Sequence, residues 1–132
     1  MSLKETKKQV ALFDDSPDIQ ASLGMLLDMN DYGVHPATSM SEALELIPQL
    51  PKLKVRFAIV DGNLSPGGWG DNRDGAEIVS KIQQNPYQTI TIGYASRGDV
   101  PGADYQSPKN KGPINLLNTM RLAILPSSRA PR

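Results

Sequence analysis

Three aspartates stand directly after two apolar segments of the chain. Asp14 and Asp15 follow the segment 10–13, and Asp61 follows the segment 55–60. If these segments are neighbouring parallel strands, the three acids meet at the carboxyl edge of the sheet, where ligands bind in such folds. Crowded carboxylates repel one another, which raises a pKa unless a cation neutralises them. Mg²⁺ suits this pocket because it takes one or two carboxylates together with waters and phosphate oxygens, so we expect a site for a phosphoryl group.

The segments around these acids alternate between strand-like and helix-like patterns. Short apolar runs predict strands at residues 10–13, 32–35, 55–60 and 89–94, with a short fifth strand at 104–106. Amphipathic spacing predicts helices at residues 17–30, 39–47, 76–84 and 114–125. Strands separated by helices indicate a parallel sheet with helices on both faces, and right-handed crossovers make this a doubly wound α/β fold.

The composition excludes several classes of protein and binding partner. The chain has 132 residues with 14 basic and 14 acidic side chains, which is typical of one domain without the basic surplus of a nucleic-acid or membrane binder. It has no cysteine, no signal-peptide pattern and no long apolar run, so we expect a cytoplasmic protein. We interpret residues 1–8 as a disordered or vector-derived lead, 9–125 as the domain and 126–132 as a tail.

Three segments of the chain resemble the receiver domain of two-component response regulators. They are residues 10–19, with the acid pair, 32–44 and 57–64, with Asp61. The resemblance implies a flavodoxin-like sheet of five strands in the order 2-1-3-4-5. It also implies that Asp61 accepts a phosphoryl group from a phosphohistidine of a sensor histidine kinase or phosphotransfer protein. Asp14 and Asp15 would hold Mg²⁺, and Asn63 would offer its backbone carbonyl to the ion.

Two residues that contact the phosphoryl group in that family are displaced here. The family has a hydroxyl at the end of strand four, whereas this chain has Ala95 there and Ser96 one residue later. A one-residue bulge would bring Ser96 to the site. The family also has a Lys-Pro pair after strand five, whereas this chain has Pro-Lys, with Lys109 one place beyond the expected position and Lys111 as a further candidate. The long lysine stem makes Lys109 our prediction for the phosphoryl-contacting cation.

Two changes of length also separate this chain from the family. A glycine-rich insertion at 62–74 carries Trp69, the only tryptophan, which could cover the pocket or bind a partner. Only nine residues, 95–103, separate strands four and five, so we predict that the fourth helix of the family is missing. Its loss would leave apolar surface bare near Tyr94, Val100 and Tyr105, where a homodimer mate or a partner helix could bind.

Two functions therefore remain open at the level of the sequence. The first is a phosphorylatable receiver that signals to a downstream protein without being an enzyme in its own right. The second is a degenerate receiver that acts as a phosphorylation-independent interaction module, which the displaced lysine, displaced hydroxyl and lost helix favour. Simple structural explanations also exist for single residues: Lys109 as a solvated loop lysine, Ser96 as a turn serine and His35 as a structural residue.

Overall fold

The computed structural model describes residues 7–64 and 72–124, and within them strands alternate with helices. The strands are β1 (Lys8–Phe13), β2 (Tyr32–Ala37), β3 (Val55–Val60), β4 (Ile90–Gly93) and β5 (Tyr105–Gln106). The helices are α1 (Pro17–Met29), α2 (Met40–Leu46), α3 (Arg73–Gln83) and α4 (Gly112–Ala123). The chain continues from α2 through a 3₁₀ turn at Ile47–Gln49 and one helical turn at Leu50–Leu53, and a second 3₁₀ turn at Lys109–Lys111 precedes α4.

The five strands form one parallel sheet in the order β2-β1-β3-β4-β5. β1 lies between β2 and β3, with Phe13 opposite both Ala37 and Val60. The residues that follow these three strands therefore leave the sheet side by side. The predicted fold class and strand order are confirmed.

The strands of the sheet centre are buried on both faces, as their continuous apolar sequence requires. Alternate residues of β1 point to opposite sides, so Val10 and Leu12 join one core while Ala11 and Phe13 join the other. The first core contains residues of α1 and α4, and the second contains residues of α2 and α3. Helices thus cover both faces of the sheet.

Local signals explain where the helices begin. The Ser16 hydroxyl accepts a hydrogen bond from the Ile19 amide at 3.3 Å, and Pro17 occupies the first turn of α1. The predicted end near residue 30 agrees with α1. In contrast, α3 begins three residues before the predicted start and α4 two before, because the charged and glycine residues that open α3 and the Gly-Pro pair that opens α4 carry no apolar periodicity.

No helix joins β4 to β5, which confirms the predicted loss of the family's fourth helix. The predicted bare surface is wrong, however, since Val100 is 0% exposed and Tyr94 is 4% exposed. The loop turns Val100 into the core, and the Gln106 side chain holds it there by accepting from the Val100 amide at 3.0 Å and donating to its carbonyl at 2.8 Å. Gly93 permits this approach, because a Cβ on it would collide with the Gln106 amide oxygen.

Some predictions fall outside the described residues. Trp69 and most of the insertion lie in 65–71, and the predicted tail lies beyond 124. The predicted lead overlaps the structure only at its end, where β1 begins at Lys8, one residue earlier than the predicted domain start. Among the described residues, no helix combines the length and apolar character needed to cross a membrane.

Candidate functional site at the carboxyl edge of the sheet

Backbone pairing continues past the ends of β1 and β3 and fixes the acids. The Asp14 amide donates to the Ala37 carbonyl at 3.1 Å, and the Asp61 amide donates to the Phe13 carbonyl at 2.8 Å. Because both residues extend the sheet's ladder, their side chains project from adjacent strands at one edge. Asp14 is 1% exposed and Asp61 is 9% exposed.

The three predicted acids come together at this edge. Asp14, Asp15 and Asp61 each offer a carboxylate oxygen, and these oxygens lie within 4.8 Å of one another. Asp14 Oδ1 accepts from the Ser16 amide at 2.9 Å, and Asp61 Oδ1 accepts from the Gly62 amide at 2.7 Å. An all-oxygen cluster of this size is the donor set that hard divalent cations prefer.

Lys109 joins the cluster from the 3₁₀ turn that follows β5, the edge strand of the sheet. Its amide donates to the Ala95 carbonyl at 3.0 Å, which anchors the 3₁₀ turn after β5 against the end of β4. Its Nζ lies 3.0 Å from Asp14 Oδ2 and 3.2 Å from Asp61 Oδ1. The position one place beyond the expected site is therefore within reach of both acids.

The pKa of Asp61 and the pKa of Lys109 are both raised, but by different causes. Burial, followed by the negative charge of Asp14, raises the pKa of Asp61 to about 6, although Lys109 and the Gly62 amide act in the other direction. For Lys109, burial alone would lower the pKa, but the contacts with Asp14 and Asp61 outweigh it and the pKa is raised. The lysine is thus cationic, and it neutralises only part of the negative charge around it.

Tyr94 forms an aromatic wall beside Lys109. Lys109 Nζ lies 5.7 Å from the centre of the Tyr94 ring, a cation–π contact. Burial raises the pKa of the Tyr94 phenol, and the nearby Lys109 opposes this shift. The Lys109 side chain is only 17% exposed, and its attraction to the acids is stronger in these surroundings than it would be in water.

The remaining predicted site residues have different surroundings. Ser96 is exposed, and it makes none of the hydrogen bonds that join the described residues of the site. The predicted bulge does not bring it inward, because Ala95 is the buried residue of this pair, at 3% exposed, and Ser96 faces outward. Asn63 follows β3, two residues after Asp61, and its side-chain amide donates to Asn72 Oδ1 at 3.4 Å.

Two side chains that sequence reasoning missed hold the site together. Gln20 Nε2 lies within hydrogen-bond distance of the carbonyls of Leu12, Asp14 and Ala37, so α1 is tied to the ends of β1 and β2. Asn72 Nδ2 donates to the carbonyls of Arg97 at 2.7 Å and Asp99 at 2.9 Å. Neither residue has a sequence signal of its own, because each acts on backbone groups brought near by the fold.

Solved structures share this architecture over most of their length. A CheY-like response regulator receiver domain from Methanospirillum hungatei JF-1 superposes with a TM-score of 0.73 at 21% identity, covering 87% of this chain and 91% of that one. The chemotaxis response regulator CheY4 of Vibrio cholerae gives 0.70 at 22% identity, with coverage of 87% and 97%. The fold is that of a receiver domain.

The solved structures share the receiver fold with this chain at low sequence identity. The BeF3-activated N-terminal receiver domain of RstA from Klebsiella pneumoniae gives a TM-score of 0.70 at 18% identity, with coverage of 87% and 97%. The sequence matches no protein-family model and no curated protein. At these identities the comparisons establish the receiver fold, and the roles of individual residues have to be argued from the site itself.

Proposed function

We propose that this receiver-fold domain accepts a phosphoryl group on Asp61 in a Mg²⁺-dependent reaction and signals through protein–protein contacts. The observation that carries this proposal is the convergence of Asp14, Asp15, Asp61 and Lys109 at one sheet edge. Three acids with one half-buried cation are poorly balanced as a purely structural cluster, since the pKa of Asp61 is raised by its surroundings.

In the proposed reaction, a carboxylate oxygen of Asp61 attacks phosphorus as the bond between phosphorus and the donor's imidazole nitrogen breaks. Asp61 Oδ1 already accepts from the Gly62 amide and contacts Lys109, so Oδ2 is the oxygen better suited to attack. Lys109 then faces the added negative charge on the phosphoryl oxygens. No general base is needed because the carboxylate is the nucleophile.

The donor set fits Mg²⁺. Asp14, Asp15 and Asp61 would hold the ion with carboxylate oxygens, and Asn63 would supply its backbone carbonyl. When bound, the ion neutralises the acids and the transferring phosphoryl oxygens. Burial and, after it, the negative charge of Asp14 raise the pKa of Asp61, which supports this assignment because a bound cation offsets both effects.

The proposed donor is a phosphohistidine of a sensor histidine kinase or phosphotransfer protein, and the output is a downstream protein in the cytoplasm. The domain is a phosphoacceptor in this scheme and not an enzyme that turns over a separate substrate. We assign no contact to the phosphoryl group for Ser96, because it is exposed beyond Ala95. A homodimer through β4 and β5 stays a prediction, although buried Tyr94 and Val100 give it no apolar surface.

A second function is favoured by one observation, the alanine at the position where a hydroxyl is expected. Without that hydroxyl, the domain could keep its fold as a phosphorylation-independent interaction module. Ala95 is buried and has no hydroxyl, and Ser96 beside it is exposed. This alternative predicts partner binding that is the same with and without phosphodonor.

The test is incubation with acetyl phosphate or phosphoramidate and Mg²⁺, followed by intact-mass spectrometry. We expect one phosphoryl adduct on the wild type, none on Asp61→Asn and none in EDTA. The matched control is Asp31→Asn, an exposed aspartate far along the chain from the cluster. If the wild type gains no adduct that depends on both Mg²⁺ and Asp61, the proposed phosphoacceptor function is wrong and the interaction module is favoured.

A further inference from the structure

A basic cleft lies at the amino edge of the sheet, opposite the acidic cluster. The start of β1 and the start of β3 are neighbours, with Gln9 opposite Val55, so cationic residues on both strands reach the same edge. The cleft has a volume of about 350 Å³ and is lined by four cationic side chains, one aromatic ring, one amide and one leucine: Lys7, Lys8, Lys54, Arg56, Tyr87, Gln9 and Leu53. This volume is in the range of small-molecule sites.

The cationic charge of the cleft is largely uncompensated. Lys7 pairs with the exposed Asp28 at 3.3 Å. Within residues 7–64 and 72–124, no carboxylate lies within ion-pair distance of Lys8, Lys54 or Arg56. In a chain with no net charge, this local excess contrasts with the acidic edge. Cations gathered in one concavity attract anions strongly because the field is focused there.

The side chain of Arg56 is a second feature of the cleft that indicates an anion site. Its Nε is buried and has no hydrogen-bond partner among the described residues. A buried N–H of this kind costs free energy unless something accepts its hydrogen bond. The guanidinium is planar and presents parallel donors, which match the oxygens of a phosphate group.

Hydrogen bonds hold the residues at the rim of the cleft, and one of the rim residues is aromatic. Gln9 Nε2 donates to the Lys7 carbonyl at 3.2 Å, and Gln9 Oε1 contacts His35 Nε2 at 2.8 Å. Lys54 has a left-handed backbone with a φ of 55°, which turns the chain sharply into β3. Tyr87 is half-buried and offers a ring against which a flat group could stack.

We propose that this cleft binds a small phosphorylated ligand, with its phosphates on Arg56 and the lysines. The cleft is larger than a single phosphate, and Tyr87 adds an aromatic wall, so a nucleotide is the ligand class that would use all of it. This proposal does not depend on phosphorylation of Asp61, because the two sites lie at opposite edges of the sheet.

The test is titration of the full chain with ADP, pyrophosphate, adenosine or citrate, followed by amide NMR shifts. EDTA is present so that Mg²⁺ cannot hold phosphates at the acidic cluster. We expect saturable shifts at Lys8, Lys54 and Arg56 with ADP and pyrophosphate, none with adenosine and weaker ones with citrate. Tighter binding of ADP than of pyrophosphate would identify a nucleotide, and equal binding would identify the phosphate part alone as the ligand.

Two variants keep the proposal falsifiable. Arg56→Met retains the aliphatic stem, and Lys54→Asn removes the charge while tolerating the left-handed backbone. We expect each to weaken pyrophosphate binding by roughly ten-fold or more, as loss of a charge-assisted contact does. Lys81→Ala, an exposed lysine on α3, is the control of equal charge change and should leave binding unaltered.

Several outcomes would overturn the proposal. These are the absence of saturable shifts with either phosphate compound, equal binding of citrate, equal binding of adenosine, and unchanged binding in both cleft variants. Repeating the titration in Asp61→Asn separates the two sites. Unchanged shifts in this variant support ligand binding in the cleft, whether or not Asp61 is phosphorylated in the wild type.

Discussion

At the scale of single residues, Asp61 combines burial, a neighbouring negative charge and a neighbouring cation. A carboxyl whose pKa is raised in the folded chain destabilises the fold once it ionises. Both states are protonated below pH 4, and the unfolded chain then ionises first as the pH rises towards 6. The stability that the protonated carboxyl provides is therefore lost between about pH 4 and pH 6.

Asp61→Asn should consequently stabilise the protein in EDTA at neutral pH. We expect a gain of ~1–2 kcal/mol, after allowing for solvent screening of this partly exposed group. Urea unfolding at pH 7 and pH 4 would measure it, with the gain shrinking at the lower pH. Asp31→Asn, exposed and in a left-handed turn that asparagine tolerates, should change little. Equal stability of Asp61→Asn and wild type at pH 7 would contradict the described electrostatics.

Lys109 should be the cation on which the acids depend. Lys109→Met removes the partner of Asp14 and Asp61, so we expect lower stability in EDTA and a slower phosphoryl transfer from acetyl phosphate. Lys111→Met is the matched control, since Lys111 is exposed in the same 3₁₀ turn. If the two variants behave alike in unfolding and in phosphorylation, Lys109 has no special part in the site.

At the scale of the elements, the loop between β4 and β5 replaces a helix with side-chain hydrogen bonds. Gln106 accepts from the amide of the buried Val100 and donates to its carbonyl, which otherwise accepts only a longer bond from the Ala103 amide at 3.3 Å, so Gln106→Ala should cost ~1–3 kcal/mol of stability. It should also speed hydrogen exchange of the Val100 amide. Gln83→Ala loses one exposed hydrogen bond to the Gly102 carbonyl in the same loop, and the smaller loss expected there makes it the control.

The elements also show what the sequence could and could not predict. Continuous apolar runs predict buried parallel strands, and the acids at their ends follow from the geometry of such sheets. The path of the residue 95–103 loop could not be predicted, because it depends on side-chain hydrogen bonds to backbone groups, from Gln106 six residues away and from Asn72 more than twenty residues away. The expectation of bare surface near Val100 failed for this reason. The contact between Lys109 and the acids could not be predicted from the sequence either, because the distance between them depends on a turn anchored to Ala95.

At the scale of the whole molecule, Mg²⁺ should stabilise the domain because it relieves repulsion that exists only in the folded state. At a free concentration a hundred times Kd, a ligand of the folded state contributes about 2.7 kcal/mol. Thermal unfolding with increasing MgCl₂ should therefore show a rising Tm that EDTA reverses. The rise should be smaller in Asp61→Asn, and an identical rise in both proteins would argue against the proposed ligands.

The placement of Asn72 has a consequence for how a change at Asp61 affects the neighbouring loops. Its side chain holds the carbonyls of Arg97 and Asp99, while Gly75 at the start of α3 donates to the Gly62 carbonyl beside Asp61. Asn72 Oδ1 also accepts from the Asn63 side-chain amide at 3.4 Å, so this one asparagine contacts both the segment after Asp61 and the loop at 97–99. A spectroscopic label attached at position 97 would report events at Asp61 in this protein, although no helix is present there to relay them.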